Sequence, residues 1–156
     1  GAIMNQVLRA QELLEEKYGV AADVWSITSY NELAREAVDC ERWNMLNPGK
    51  KARIPYITQQ LENRDGPVIA SSDYIRAVSN QVRQHVPANY TVLGTDGFGR
   101  SDTRKNLRRH FEVNRYYVAL ATLKTLADEG KIPVSKVTEA IRQYGIDTKK
   151  PNPITA

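Results

Sequence analysis

YTVLGTDGFGRSDTRKNLRRHFEVN, residues 90–114, joins a β-branched run to a basic amphipathic one across three glycines. A strand that ends in a glycine turn and feeds a helix is the repeating unit of an open α/β sheet, and such sheets bind ligands beyond their strand ends. Three uses are open to it: a phosphate cradle, a nucleic-acid reading helix, or a corner between packed elements. Gly94, Gly97 and Gly99 spell G-x-x-G-x-G, the reverse order of the dinucleotide fingerprint, and no Lys-Ser or Lys-Thr pair follows to complete a P-loop. The packing use needs only a tight turn after the strand, with Asp102 or Ser101 capping the next helix. Within TRKNLRRHF, residues 103–111, Leu107 and Phe111 sit four apart and form an inward face. Outside, Arg104 with Arg108 and Lys105 with Arg109 are like-charge i,i+4 pairs. Each such pair costs a few tenths of a kcal/mol, so an acidic neighbour is expected, and a domain surface supplies one as well as a nucleic acid does.

Moving outward, Ile3, Val7, Ala10 and Leu14 have helical spacing that Gly19 ends. ADVWSITS (22–29) is expected to be a buried strand, and residues 30–46 a helix capped by Ser29 and stopped by Pro48-Gly49. Residues 55–63 hold two helical turns behind Pro55. PVIASSD (67–73) reads as a second strand, and 74–86 as a helix with Ile75, Val78 and Val82 inward, stopped by Pro87. YTVLGTD (90–96) is the third strand, and 116–130 and 133–145 are helices ending at Gly130 and Gly145. Strands alternating with helices imply βα units and a mainly parallel sheet with helices on both faces. Three strands are few for such a domain, so another strand is expected upstream of Gly1 unless the first helix is an appendage. Residues 1–148 are expected to form one α/β domain, and 149–156 an extended tail with little to bury.

Composition narrows the function classes. The 156 residues are 41% apolar and 26% charged, which describes a globular chain. No apolar run has the length of a membrane span, and GAIMNQVLRAQELL lacks the pattern of a secretory signal. The chain does not begin with Met, so a processed product or excised piece is expected. Cys40 is the only cysteine, which excludes internal disulfides and cysteine-rich metal sites and makes a cytoplasmic setting the default. The net charge of +4 permits anionic partners without requiring them. His85 and His110 have no metal-ligand spacing, and Cys40 falls on the apolar side of its helix. No catalytic, cofactor-binding or metal-binding residue is assigned. A regulatory pocket at the strand ends, near Ser72, Thr95 and Gly97, is a third reading.

DVWSITSYNELAR (23–35), PVIASSDYIRAVSNQVRQHVP (67–87) and VLGTDGFGRSDTRKNLRRHFEV (92–113), with the two closing helices, carry a family resemblance. Over essentially its whole length the chain resembles the C-terminal domain of the homodimeric bacterial pyruvate dehydrogenase decarboxylase (E-one) component, a transketolase-like thiamine-diphosphate family. The resemblance implies a three-layer α/β/α sandwich over a mostly parallel sheet, here without its first strands. It implies a parent enzyme that decarboxylates pyruvate with thiamine diphosphate and Mg²⁺, held by domains outside this chain, and acetylates the lipoyl group of an acyltransferase component. Implied partners are the chain's own N-terminal and middle domains, the homodimer partner and the dihydrolipoyl acyltransferase component, with neither nucleic acid nor membrane. The family's cofactor signature is G-D-G followed later by Asn-Asn; here residues 95–97 read Thr-Asp-Gly and no Asn-Asn pair exists. No catalytic residue is therefore carried over, and the chain alone is expected to be inactive. The 94–104 corner is expected at a domain or subunit interface, with Arg100, Ser101, Asp102, Arg104 and Arg108 as its contacts. The alternative is a separate anion or nucleic-acid binding module using helix 103–111 through Arg104, Lys105, Arg108 and Arg109.

Overall fold

In a computed structural model, which describes residues 2–155, Val68–Ser71 (β1) and Tyr90–Leu93 (β2) pair in parallel, from Val68↔Tyr90 to Ser71↔Leu93. Among the described residues seven α-helices run around them: α1 (Ala2–Tyr18), α2 (Tyr30–Leu46), α3 (Tyr56–Leu61), α4 (Arg76–Asn80), α5 (Arg104–His110), α6 (Arg115–Asp128) and α7 (Val134–Gln143). Strand residues alternate between faces, and two clusters follow from that alternation. Ile69 and Leu93 pack against the layer of α1, α6 and α7, which is centred on Ala119, Leu123 and Ala140. Ala70, Tyr90 and Val92 face the other way, with Ile57, Val82, Leu33 and Ala34. Helices on both faces of a parallel pair make three α/β/α layers, as the strand–helix alternation anticipates.

Two expectations are corrected. Residues 22–29 form no ladder among the described residues. Trp25 and Ile27 are exposed, Arg64 lies over the Trp25 ring at 4.8 Å and pairs with Asp23 at 2.9 Å. β-propensity measures fit to a pleated, partnered surface, and here no partner strand lies alongside. Among the described residues the sheet therefore has two strands, not three. The helix expected over 74–86 is broken into α4 and a 3₁₀ turn at Arg83–His85. Side-chain bonds between this segment and β2 account for the break: Tyr90 Oη donates to Ser79 O at 2.8 Å, and Arg83 Nη1 donates to Tyr90 O at 2.6 Å.

Elsewhere local chemistry sets the ends. Ser29 caps α2 through Glu32 N, and Asn114 caps α6 through the amides of Tyr116 and Tyr117. In α1 the buried positions are Ile3, Gln6, Ala10 and Leu14; a glutamine takes the place that helical periodicity gives to Val7. Its Oε1 accepts from Arg115 N at 3.0 Å, joining α1 to the start of α6.

Candidate functional site

The glycines of the corner are explained by packing. A Cβ on Gly94 would lie 2.8 Å from both Tyr74 O and Arg76 N. Gly97 has φ +115°, and a Cβ there would collide with the carbonyl of Pro153 in the tail. Gly99 has open space around it. Backbone, not ligand, occupies the first two approaches.

Asp96, between them, is also occupied. Its carboxylate accepts from Arg76 N at 3.3 and 3.4 Å and pairs with Arg76 Nε at 3.4 Å, so it caps α4, whose N-cap Ile75 has no side-chain acceptor. The strand-end hydroxyls are similarly held: Thr95 Oγ1 donates to Asp73 O at 2.6 Å, and Ser72 Oγ accepts from Tyr74 N at 3.0 Å. The strand-end groups that a regulatory pocket near Ser72, Thr95 and Gly97 would use are thus held in the protein's own bonds, and the tail covers Gly97.

The tail, after α7, turns twice. Lys149 N and Lys150 N bond Asp147, and Ile154 N bonds Asn152 Oδ1. Lys150 Nζ reaches His110 O at 2.9 Å and Glu112 Oε1 at 3.0 Å, and Pro153 is buried. Glu112 itself has φ 63°, a left-handed position rare for a side-chain-bearing residue. Val113 N bonds Arg108 O at 2.9 Å, closing α5 as a Schellman turn with glutamate where glycine is usual.

The five expected contact residues divide into two groups. Arg100, Ser101 and Asp102 are exposed on the corner. Arg100 Nη1 lies 3.0 Å from His110 Nδ1. Asp102 Oδ1 accepts from Asn106 Nδ2 and Thr103 N, and those bonds hold its carboxyl below the usual range. The N-cap of α5 is Thr103, bonded to Asn106 N, rather than Asp102 or Ser101. Arg104 and Arg108 instead line a cleft of about 630 Å³ between α1, α5 and the start of α6, together with Arg9 and Arg115. Lys105 and Arg109 are not part of its wall. The basic helix therefore sends its cations in two directions.

Sequence reasoning missed Arg9, Gln6 and Arg115, which lie on other elements and carry no local signal. It also missed the apolar side of the corner: Tyr74, Ile75 and Phe98 are 69%, 52% and 75% exposed. The Tyr74 carbonyl accepts from Thr95 N at 3.0 Å, which ties their two segments together. Cys40 is buried, and burial with the Glu36 carboxylate, 3.2 Å away, pushes its thiol up. His85 sits 3.4 Å from Glu41.

No helix among the described residues is long and apolar enough to cross a membrane. Nor do the described residues contain three or more His, Cys, Asp or Glu side chains grouped to hold a metal.

Residues 1–114 match the family model of the transketolase-like TK C-terminal domain. The chain is 52% identical to the pyruvate dehydrogenase E1 component of Cupriavidus necator over 155 residues, 99% of this chain and 17% of that protein. It is 52% identical to that of Pseudomonas aeruginosa, with 99% and 18% covered. The Escherichia coli K12 protein is 52% identical over 154 residues, with 98% and 17% covered. The chain thus spans less than a fifth of the length of these relatives.

Proposed function

The chain belongs to the transketolase-like C-terminal domain family, and from that membership we propose that it is the C-terminal interaction domain of a pyruvate dehydrogenase E1 component. The observation that carries this reading is 52% identity across 98–99% of the chain to proteins of that name. We take residues 1–148 as the domain and 149–156 as its tail. On this reading the parent decarboxylates pyruvate and acetylates the lipoyl group of a dihydrolipoyl acyltransferase component, in the cytoplasm, as a homodimer. The run 22–29, without a ladder partner, supports a sheet completed by strands from the remainder of the polypeptide.

The parent would use thiamine diphosphate and Mg²⁺, but the residues present here do not fit them. Asp96, the one Asp between the corner's glycines, caps α4 and pairs with Arg76, and Gly94 and Gly97 are closed by Tyr74, Arg76 and Pro153.

The contact we propose is the corner: Tyr74, Ile75 and Phe98 as an apolar centre with Arg100, Ser101 and Asp102 as its polar rim, an arrangement usual at protein interfaces. Arg104 and Arg108 extend it into the cleft. In the full-length polypeptide, Phe98→Ser with Tyr74→Ser should weaken dimerisation about tenfold or more, as removal of buried aromatic anchors does. Analytical ultracentrifugation reads the effect. An unchanged dimer, with unchanged activity, would remove the corner from the interface.

A further inference from the structure

We propose that the arginine cleft between α1, α5 and the start of α6 is a docking groove for a carboxylate-bearing segment of the longer polypeptide. The inference rests on the reading that this chain is one domain of such a polypeptide.

The cleft concentrates positive charge from three elements. Arg9 is paired within it, 3.0 Å from Glu12. Arg104, Arg108 and Arg115 have no ion-pair partner among the described residues. Arg115 is held in place from below: buried Gln6 accepts from its backbone N at 3.0 Å and its Nε at 3.3 Å. Holding Nε leaves the outer guanidinium nitrogens free to donate, and a guanidinium presents a planar fork matched to carboxylate. Arg104 and Arg108 are four apart on one helix, so they repel unless an anion lies between them. A second hollow of about 460 Å³ shares Arg104 and Arg108 and adds Leu107 and the carboxylate of Asp73. Together the two accept a length of chain rather than one ion.

The occupant is a peptide for three reasons. The wall is mixed, with Ala2 and Leu8 beside the arginines, and Leu8 is 41% exposed; a segment with carboxylates and apolar side chains matches that mixture. A phosphate site of this fold would use backbone N–H groups of the glycine turn, and here Gly94 and Gly97 are closed by neighbouring backbone. A nucleic acid would engage the helix's cations along one face, whereas Lys105 and Arg109 lie off the cleft. The relatives supply the chain length: this domain is 17–18% of theirs.

The test uses the full-length polypeptide. Arg108→Lys places an amine in the cleft, and carbodiimide then joins it directly to any carboxylate in contact. The expected result is a cross-link, absent from the unsubstituted protein, between position 108 and an Asp or Glu outside these 156 residues. Arg104→Lys repeats the experiment if the first variant folds poorly. A cross-link only to Glu12 or Asp73, or none, overturns the proposal. So does a saturable rise in melting temperature with inorganic pyrophosphate that Arg108→Glu abolishes, since a small phosphate would then be the occupant. A native polypeptide of only this size would sink the multidomain reading itself; a long polypeptide without the cross-link would sink this inference alone.

Discussion

The α1/α6/α7 layer and the corner between β2 and α5 are both held by contacts distant in sequence, but of different kinds. In the layer, Ala119, Leu123 and Ala140 are wholly buried, each within an apolar stripe of its own helix. At the corner, single polar or steric contacts reach far along the chain: Asp96 to Arg76, Pro153 to Gly97, Lys150 to Glu112. Phe98 meanwhile stands in solvent. Redundant apolar contact makes a layer that resists change at most positions. Sparse contact makes a surface that depends on a few residues, which suits a segment whose remaining contacts come from another body.

The largest effect separating the two regions is expected at Leu123. It has no exposed surface, and Leu→Ala at such a site costs about 2–5 kcal/mol. Hydrogen exchange of the α6 and α7 amides in the full-length protein would show that loss, with the corner's protection unaltered. A cost under about 1 kcal/mol would mean the layer is not the core. Next comes Gly97→Ala, which combines left-handed backbone with a collision against Pro153. About 1–3 kcal/mol of strain is expected, appearing as faster proteolysis within residues 147–155. Gly99→Ala, with nothing nearby, should fall within about 0.5 kcal/mol of neutral. Equal effects at the two glycines would break the account of why the corner has them.

What was legible in the sequence follows the same division. Helices α1, α2, α6 and α7 announce themselves by period and by stops such as Gly19 and Gly130, because both signals lie within the element. Their layering on two faces follows from the β–α alternation. Residues 22–29 form no ladder despite their composition because a strand exists only with a partner, and β-branched residues report preference, not pairing. The break in 74–86 has no local signal because bonds between that segment and Tyr90 of β2 impose it. At the corner, glycine composition suggested an anion cradle, and only the folded tail shows that Gly97 answers to Pro153. Arg115 and Arg9 joined the site for a reason no local motif records: Gln6, 109 residues away from Arg115, orients it.

The smallest expected effect, and the sharpest test of the corner's polar contacts, is titration of His110. Arg100 Nη1 can only donate, so the ring nitrogen 3.0 Å from it must accept and the imidazole must be neutral there. Burial first, then Arg100 and Lys150, push its pKa below the ordinary 6.5, against an opposing pull from Glu112. The folded value is therefore lower than the unfolded one. Above pH 6.5 the ring is neutral in both states and the contact is fully present. As pH falls through 6.5 the open corner takes up its proton first, so the closed corner loses stability until the folded ring is protonated in turn. Exchange protection of residues 100–113 should accordingly decline on acidification, beginning near pH 6.5. Arg100→Ala removes one depressing charge and leaves burial, so the folded pKa should rise part of the way back, which the His110 ring-proton shifts would follow by NMR. A ring that titrates at or above its ordinary value in the unsubstituted protein would mean that Arg100 points into solvent, leaving the tail alone to hold the corner.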